Sequence, residues 1–190
     1  MSPFDYVTIL ISIILGLGIT QILIGLAEII RRWGRITFYW PHALWIILGF
    51  IMHIREWWFI YQLKSFNSWS LPYFLFIALY PITLFIFANL LFPQNWRPRR
   101  FDMQRFYHRN WQKLFGIVLA LALISIAQNT FVYNLNLQEQ AVEILIAVIL
   151  AVFLAVRPSN HFVHFIFPLV LFVILVTILV LQREELVITI

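Results

Sequence analysis

Cysteine is absent from this chain of 190 residues. That excludes a disulfide framework, thiolate metal sites and a cysteine nucleophile. Charge is scarce: 11% of the residues are Asp, Glu, Lys or Arg, against about a quarter in a soluble domain. Eight prolines and 6 glycines are too few for a low-complexity or fibrous chain. No long polar segment interrupts the apolar ones, which leaves no room for a separate soluble catalytic or ligand-binding domain. What the chain has in excess is apolar surface, with 63% hydrophobic residues and a mean hydropathy of +0.90. Such a composition cannot cover its own surface in water, so the fold class expected is an all-α integral membrane protein, one domain over residues 1–190.

In lipid every backbone N–H and C=O needs an internal partner, so a span is a helix or part of a closed barrel. The apolar runs here are continuous rather than alternating, which selects helices of about 20 residues. Six spans are expected, at about 6–30, 40–61, 71–92, 113–133, 138–156 and 161–181, packed as one helical bundle. Arg31, Arg32 and Gly34 stop the first. Pro41 suits the first turn of the second, where its missing N–H is not needed, and Ser70 is a candidate N-cap for the third. Pro158 ends the fifth. The first run lacks a basic leader and a small-residue cleavage site, so it is expected to be retained rather than removed as a signal peptide. The fate of the apolar tail 186–190 is left open.

Lys and Arg in short loops set orientation. Arg31, Arg32 and Arg35 follow span one, Arg97, Arg99, Arg100, Arg105, Arg109 and Lys113 follow span three, and Arg157 follows span five. The opposite loops hold Lys64 and Arg183 with Asp5, Glu139, Glu143, Glu184 and Glu185. The basic loops are therefore expected in the cytoplasm and both termini outside. A net charge of +5 then reflects topology, with the lipid bilayer as partner and no nucleic acid; the 93–112 loop is expected to fix orientation and can touch anionic headgroups. Tyr39–Trp40 and Trp57–Trp58 mark the two ends of span two, separated by roughly 27 Å of helix, which matches the hydrocarbon thickness.

Ionisable and amide side chains inside spans are costly and mark function or pairing. Gln21 lies mid-span in helix one. His53 and Glu56 share a face of helix two beside Arg55, and by depth Gln128 and Asn129 of helix four can meet them in an outward-facing polar vestibule. For Arg55 and Glu56 the favoured expectation is instead that Arg55 snorkels outward and Glu56 pairs locally. Glu28 is expected to pair with Arg31 and Arg32. A second polar cluster, expected on the cytoplasmic side, comprises His42, Arg157, Ser159, Asn160, His161 and His164. His161 and His164 share a helical face, but two histidines in that spacing are a weak metal signal, and no metal or other cofactor is assigned. Small residues (Gly16, Gly18, Thr20 and Gly25; Gly116 and Ala120; Ala147, Ala151 and Ala155) allow close helix approach, chiefly within the molecule. Pro81 and Pro168 interrupt corresponding spans of the two halves, which allows an inverted three-plus-three repeat, although the halves share no residue-level similarity. No P-loop, GxSxG, HExxH, EF-hand or dinucleotide fingerprint occurs.

Ser2-Pro3-Phe4-Asp5-Tyr6, Gly16-Leu17-Gly18 with Gln21, Tyr39-Trp40-Pro41-His42, and His53 with Trp57-Trp58 together resemble a widespread uncharacterised group of small bacterial multi-pass membrane proteins. The likeness covers mainly the first third of the chain. It implies a bacterial inner-membrane setting and carries over no activity, cofactor or site residue. Three readings of function stand: a small transporter or channel-like protein, expected as a homo-oligomer, moving an ion, proton or small solute through a polar cavity near the second span; an accessory subunit among partner membrane subunits; and a cofactor carrier or enzyme built on His42, His161 and His164. The first is expected, and enzymatic activity is not.

Overall fold

The computed structural model describes residues 3–65, 69–94, 96, 100–158 and 160–181. Arg97, Arg99, Ser159, Arg183, Glu184, Glu185 and the 186–190 tail lie outside that set. The chain is all-helical: α1 (Pro3–Arg31), α2 (Trp40–Phe59), α3 (Leu71–Leu90), α4 (Met103–Phe131), α5 (Ala141–Val156) and α6 (His161–Leu181). A 3-10 turn, Trp33–Arg35, follows α1, and another, Ile60–Ser65, follows α2. Two short strands, β1 (Ile36–Thr37) and β2 (Phe101–Asp102), pair in parallel.

Among the described residues four helices are long and apolar enough to cross a membrane: α1, α3, α4 and α6. The shorter α5 is also apolar. Helix α2 falls outside this group because His42, His53, Arg55 and Glu56 dilute its apolar character. Large apolar side chains such as Leu17 and Leu23 on α1, Val148 and Val152 on α5, and Val173 and Val180 on α6 stay exposed. Water would penalise such contiguous bands; the acyl chains of a membrane would not.

Helix α3 is the hub and packs on α1, α2 and α4; α4 also packs along α5, and α6 along α2. The core joins one face of α1 (Ile11, Leu15 and Ile22) to Trp45 and Leu48 of α2, Leu84 and Phe87 of α3 with Leu91 just beyond its end, and Phe115 and Leu121 of α4. Contacts between helix ends show that consecutive helices run in opposite directions. His42 at the start of α2 meets the Leu91 carbonyl beyond the end of α3, and Asn129 near the end of α4 meets Glu143 near the start of α5.

Two glycines on α1 make room for neighbours. A Cβ on Gly18 would fall inside the His53 imidazole, and one on Gly25 inside the Phe92 ring. These glycines thus serve packing within the molecule, as small residues do where membrane helices approach closely. The alanine stripe of α5 serves it only at Ala147, since Ala151 and Ala155 are exposed.

The structure corrects several boundaries. Helix α4 begins at Met103, well before the expected 113, because Asp102 caps it: its carboxylate accepts the Arg105 N–H at 3.0 Å. The polar first three turns are helix, not loop. Helix α5 starts at 141 rather than 138, since Gln138 to Gln140 form turns with Asn136 and Ala141. Helices α2 and α3 end at 59 and 90, slightly short of the expected 61 and 92, and α1 starts at Pro3. The inverted repeat is not realised in the packing. Helix α1 lies along α3, whereas α4 lies along α5 and α6 along α2.

Candidate functional site

Pro81 sits in the middle of α3, buried. Having no N–H, it leaves the Ile77 carbonyl one turn earlier without its helical donor. In a bilayer that orphan must find a partner elsewhere. Gln128 supplies it: the side-chain amide donates to Ile77 O at 3.2 Å and to Phe76 O at 2.8 Å. This cross-link pins α4 to the turn of α3 before Pro81 and fixes one wall of a cavity.

The cavity lies between the end of α2, the first half of α3, the second half of α4 and the start of α5. It offers about 40 Å³ to the centres of water molecules, room for a few waters, since one needs about 10–15 Å³ by this measure. Its polar lining is Arg55, Glu56, Tyr80, Gln128, Asn129 and Glu143, with Ser125 and Tyr133. Arg55 is partly buried and its Nε has no hydrogen-bond partner; its guanidinium lies 5.9 Å from the Phe59 ring centre. The Arg55 charge acts on both carboxylates, Glu56 and Glu143. Glu143 is further held by the Asn129 amide, which donates to Oε2 at 2.8 Å. Two carboxylates and one guanidinium thus face a space sized for water. Among the described residues the two ion pairs within contact distance are elsewhere, Glu28 with Arg31 at 2.8 Å and with Arg32 at 3.1 Å.

Of the residues singled out from the sequence, Arg55, Glu56, Gln128 and Asn129 come together here. Arg55 turns into the cavity. His53 does not line it. Fully buried, His53 packs against Gly18 of α1, and its Nδ1 lies 2.7 Å from the Gly49 carbonyl. That contact makes Nδ1 the protonated nitrogen and leaves the Nε2 lone pair without a partner. Gln21, partly buried on α1, does not line the cavity either, and its side chain makes no hydrogen bond among the described residues. The sequence reading passed over Glu143, Tyr80 and Tyr133 as site residues. The signal for Glu143 was present: it stands as far after Asn136 as Asn129 stands before it, so a tight hairpin places them side by side.

At the other end of the bundle the second cluster gathers around Tyr107, which the sequence reading missed. His164 is buried with Nε2 3.0 Å from the Pro158 carbonyl and Nδ1 3.2 Å from the Tyr107 hydroxyl. The carbonyl fixes Nε2 as the donor, so Tyr107 donates to Nδ1. His42 donates from Nε2 to Leu91 O at 2.8 Å, and its ring packs against Phe106 and Tyr107. Tyr39, His108 and Trp111 complete an aromatic plug. Burial raises the Tyr39 phenol above its usual range. Arg157 and Asn160 stay exposed at the rim; Arg157 caps α5 in the left-handed region at φ 51°, and Asn160 accepts the Phe162 N–H at 2.9 Å. The His161 side chain lies outside the described residues. No group of three or more His, Cys, Asp or Glu suited to a metal occurs among the described residues. This end holds together by hydrogen bonds and ring contacts.

No family model matches the chain, and no curated protein and no solved structure matches it.

Proposed function

We propose that the protein is a small membrane transporter that passes a proton or a small monovalent cation through the cavity of Arg55, Glu56 and Glu143. The observation that carries this reading is the pair of carboxylates and single guanidinium lining one water-sized space between apolar helices. Ionisable groups at such positions are costly and mark ion paths by default. With the carboxylates in excess, the cavity favours a cation small enough to take the place of water. All six helices cross the membrane in this reading, α2 included, with both termini outside and Arg31, Arg32, Arg35, Arg105, Arg109 and Arg157 in the cytoplasm. The alternating helix directions and the gathering of arginines at one end support that layout. The bacterial inner-membrane setting rests on the resemblance of the first third of the chain.

Purified protein in proteoliposomes, under an imposed pH, sodium or potassium gradient, tests it. Flux of one of these ions is expected, with most of it lost in Glu56→Gln and in Glu143→Gln. Absence of flux for all three ions, or flux untouched by both substitutions, refutes the proposal. A stoichiometric foreign chain that co-purifies would point instead to an accessory subunit.

A further inference from the structure

The parallel pairing of β1 with β2 joins two basic loops that are far apart in sequence. Its register sets Ile36 beside Phe101 and Thr37 beside Asp102. Arg35 and Arg100 immediately precede the first pair, so their Cα atoms are no more than about 12 Å apart, given 3.8 Å per step and about 4.8 Å between strands. Both are exposed. Neighbouring like charges repel, and the nearby carboxylates are committed. Glu28 is shared between Arg31 and Arg32. Asp102 caps α4. Among the described residues neither Arg35 nor Arg100 has a carboxylate within ion-pair distance.

An exposed aromatic edge borders the same clip. Trp33, Phe38 and Trp40 are 67%, 39% and 65% exposed, and their rings touch in sequence, Trp33 tilted against Phe38 at 6.1 Å and Phe38 edge-on to Trp40 at 5.0 Å between ring centres. Trp40 opens α2. The amphipathic indoles of Trp33 and Trp40 in such a position settle at the headgroup level of a bilayer. Behind the clip, Trp96 and Phe101 pack together and Arg32 lies over Trp96 at 5.9 Å, so the two arginines stand on a packed platform.

We infer that Arg35 and Arg100 form a binding site for the phosphate of an anionic phospholipid headgroup, with Trp33, Phe38 and Trp40 holding the adjacent interface. Guanidinium groups suit this ligand because they bind phosphate oxygens in a bidentate manner. The site is independent of the cavity and stands whether or not ions pass there.

The test is native mass spectrometry of the protein released from nanodiscs of mixed phosphatidylglycerol and phosphatidylcholine. Wild type is expected to retain phosphatidylglycerol selectively. The double variant Arg35→Gln, Arg100→Gln is expected to lose that retention on the order of thirtyfold, from about one unit of headgroup attraction per arginine. Arg35→Lys with Arg100→Lys keeps the charge that orients the loops and loses only the bidentate geometry, so an intermediate loss is expected even if the Gln variant fails to assemble. Arg109→Gln, exposed on α4 but outside the clip, is expected to retain lipid as wild type does. Equal retention of the two lipids, or equal loss in Arg109→Gln and the double Gln variant, overturns the inference. Displacement of the lipid by inorganic phosphate at equal concentration also overturns it and assigns the site to the free ion.

Discussion

At the residue scale the informative pairs are those in which one side chain answers a defect made by another. Pro81 removes a backbone donor, and Gln128 replaces it from the next helix. If that is the work of Gln128, its cost on removal depends on the proline. Gln128→Leu is expected to lower stability by about 1 kcal/mol, a usual size for an interhelical hydrogen bond in a membrane. In a Pro81→Ala background the loss shrinks, because an alanine at that position restores the helical donor to Ile77. Unfolding in mixed micelles, measured on the four proteins of this cycle, checks the coupling; equal losses in both backgrounds would show that Gln128 acts independently of Pro81. Gly18 and His53 form a second such pair. Gly18→Ala places a methyl group in the imidazole and is expected to cost about 1–3 kcal/mol through overpacking, relieved by adding His53→Ala. Neither pairing was legible in the sequence. Gln128 and His53 stand out as polar residues in apolar runs, but which carbonyl or glycine each meets depends on the register of two helices, and one sequence does not encode that register in any local pattern.

Elements were more legible, since a helix in lipid needs only a sustained apolar run. The run of α6 agrees with the expected 161–181 at both ends. The start of α4 escaped because periodicity is read from apolar residues, and its first three turns are mostly polar and basic. The cap was there to be read: Asp102 stands three residues before Arg105, whose N–H it accepts. Asp102→Ala is expected to fray the first turn at a cost of about 1 kcal/mol. The measurement is amide hydrogen exchange, which should speed up at 103–107 and stay unchanged beyond Lys113. Uniform acceleration along the whole of α4 would mean that the carboxylate supports the bundle rather than the cap. This turn also positions Tyr107 beside His164, so fraying is expected to loosen the aromatic plug as well.

For the whole molecule, the two polar regions lie at opposite ends of one bundle. The end bearing Arg55, Glu56 and Glu143 holds a water-sized space, whereas the end bearing His42, Tyr107 and His164 is packed with rings. Most of the expected polar grouping was legible from depth: residues equally far from the same end of helices that run in the same direction come level, and Gln128 and Asn129 line the same space as Arg55 and Glu56. Depth does not say which way a side chain faces, and His53 turned to α1 for that reason. The proposed layout, with the water-sized space at the outer end and the ring-packed end inside, requires that α4 cross the membrane between Gln104 and Asn136. The absence of cysteine makes this directly testable, since any introduced thiol is the sole target. Thr37, Gln104 and Asn136 are exposed and uncharged, so cysteine there leaves the orienting charges intact. A membrane-impermeant maleimide added to intact cells is expected to label Asn136→Cys and to spare Thr37→Cys and Gln104→Cys until the membrane is opened. Labelling of Gln104→Cys and Asn136→Cys from the same side would mean that α4 does not cross. The cavity and the arginine clip would then face one compartment, and passage through the bundle along the direction proposed would be lost.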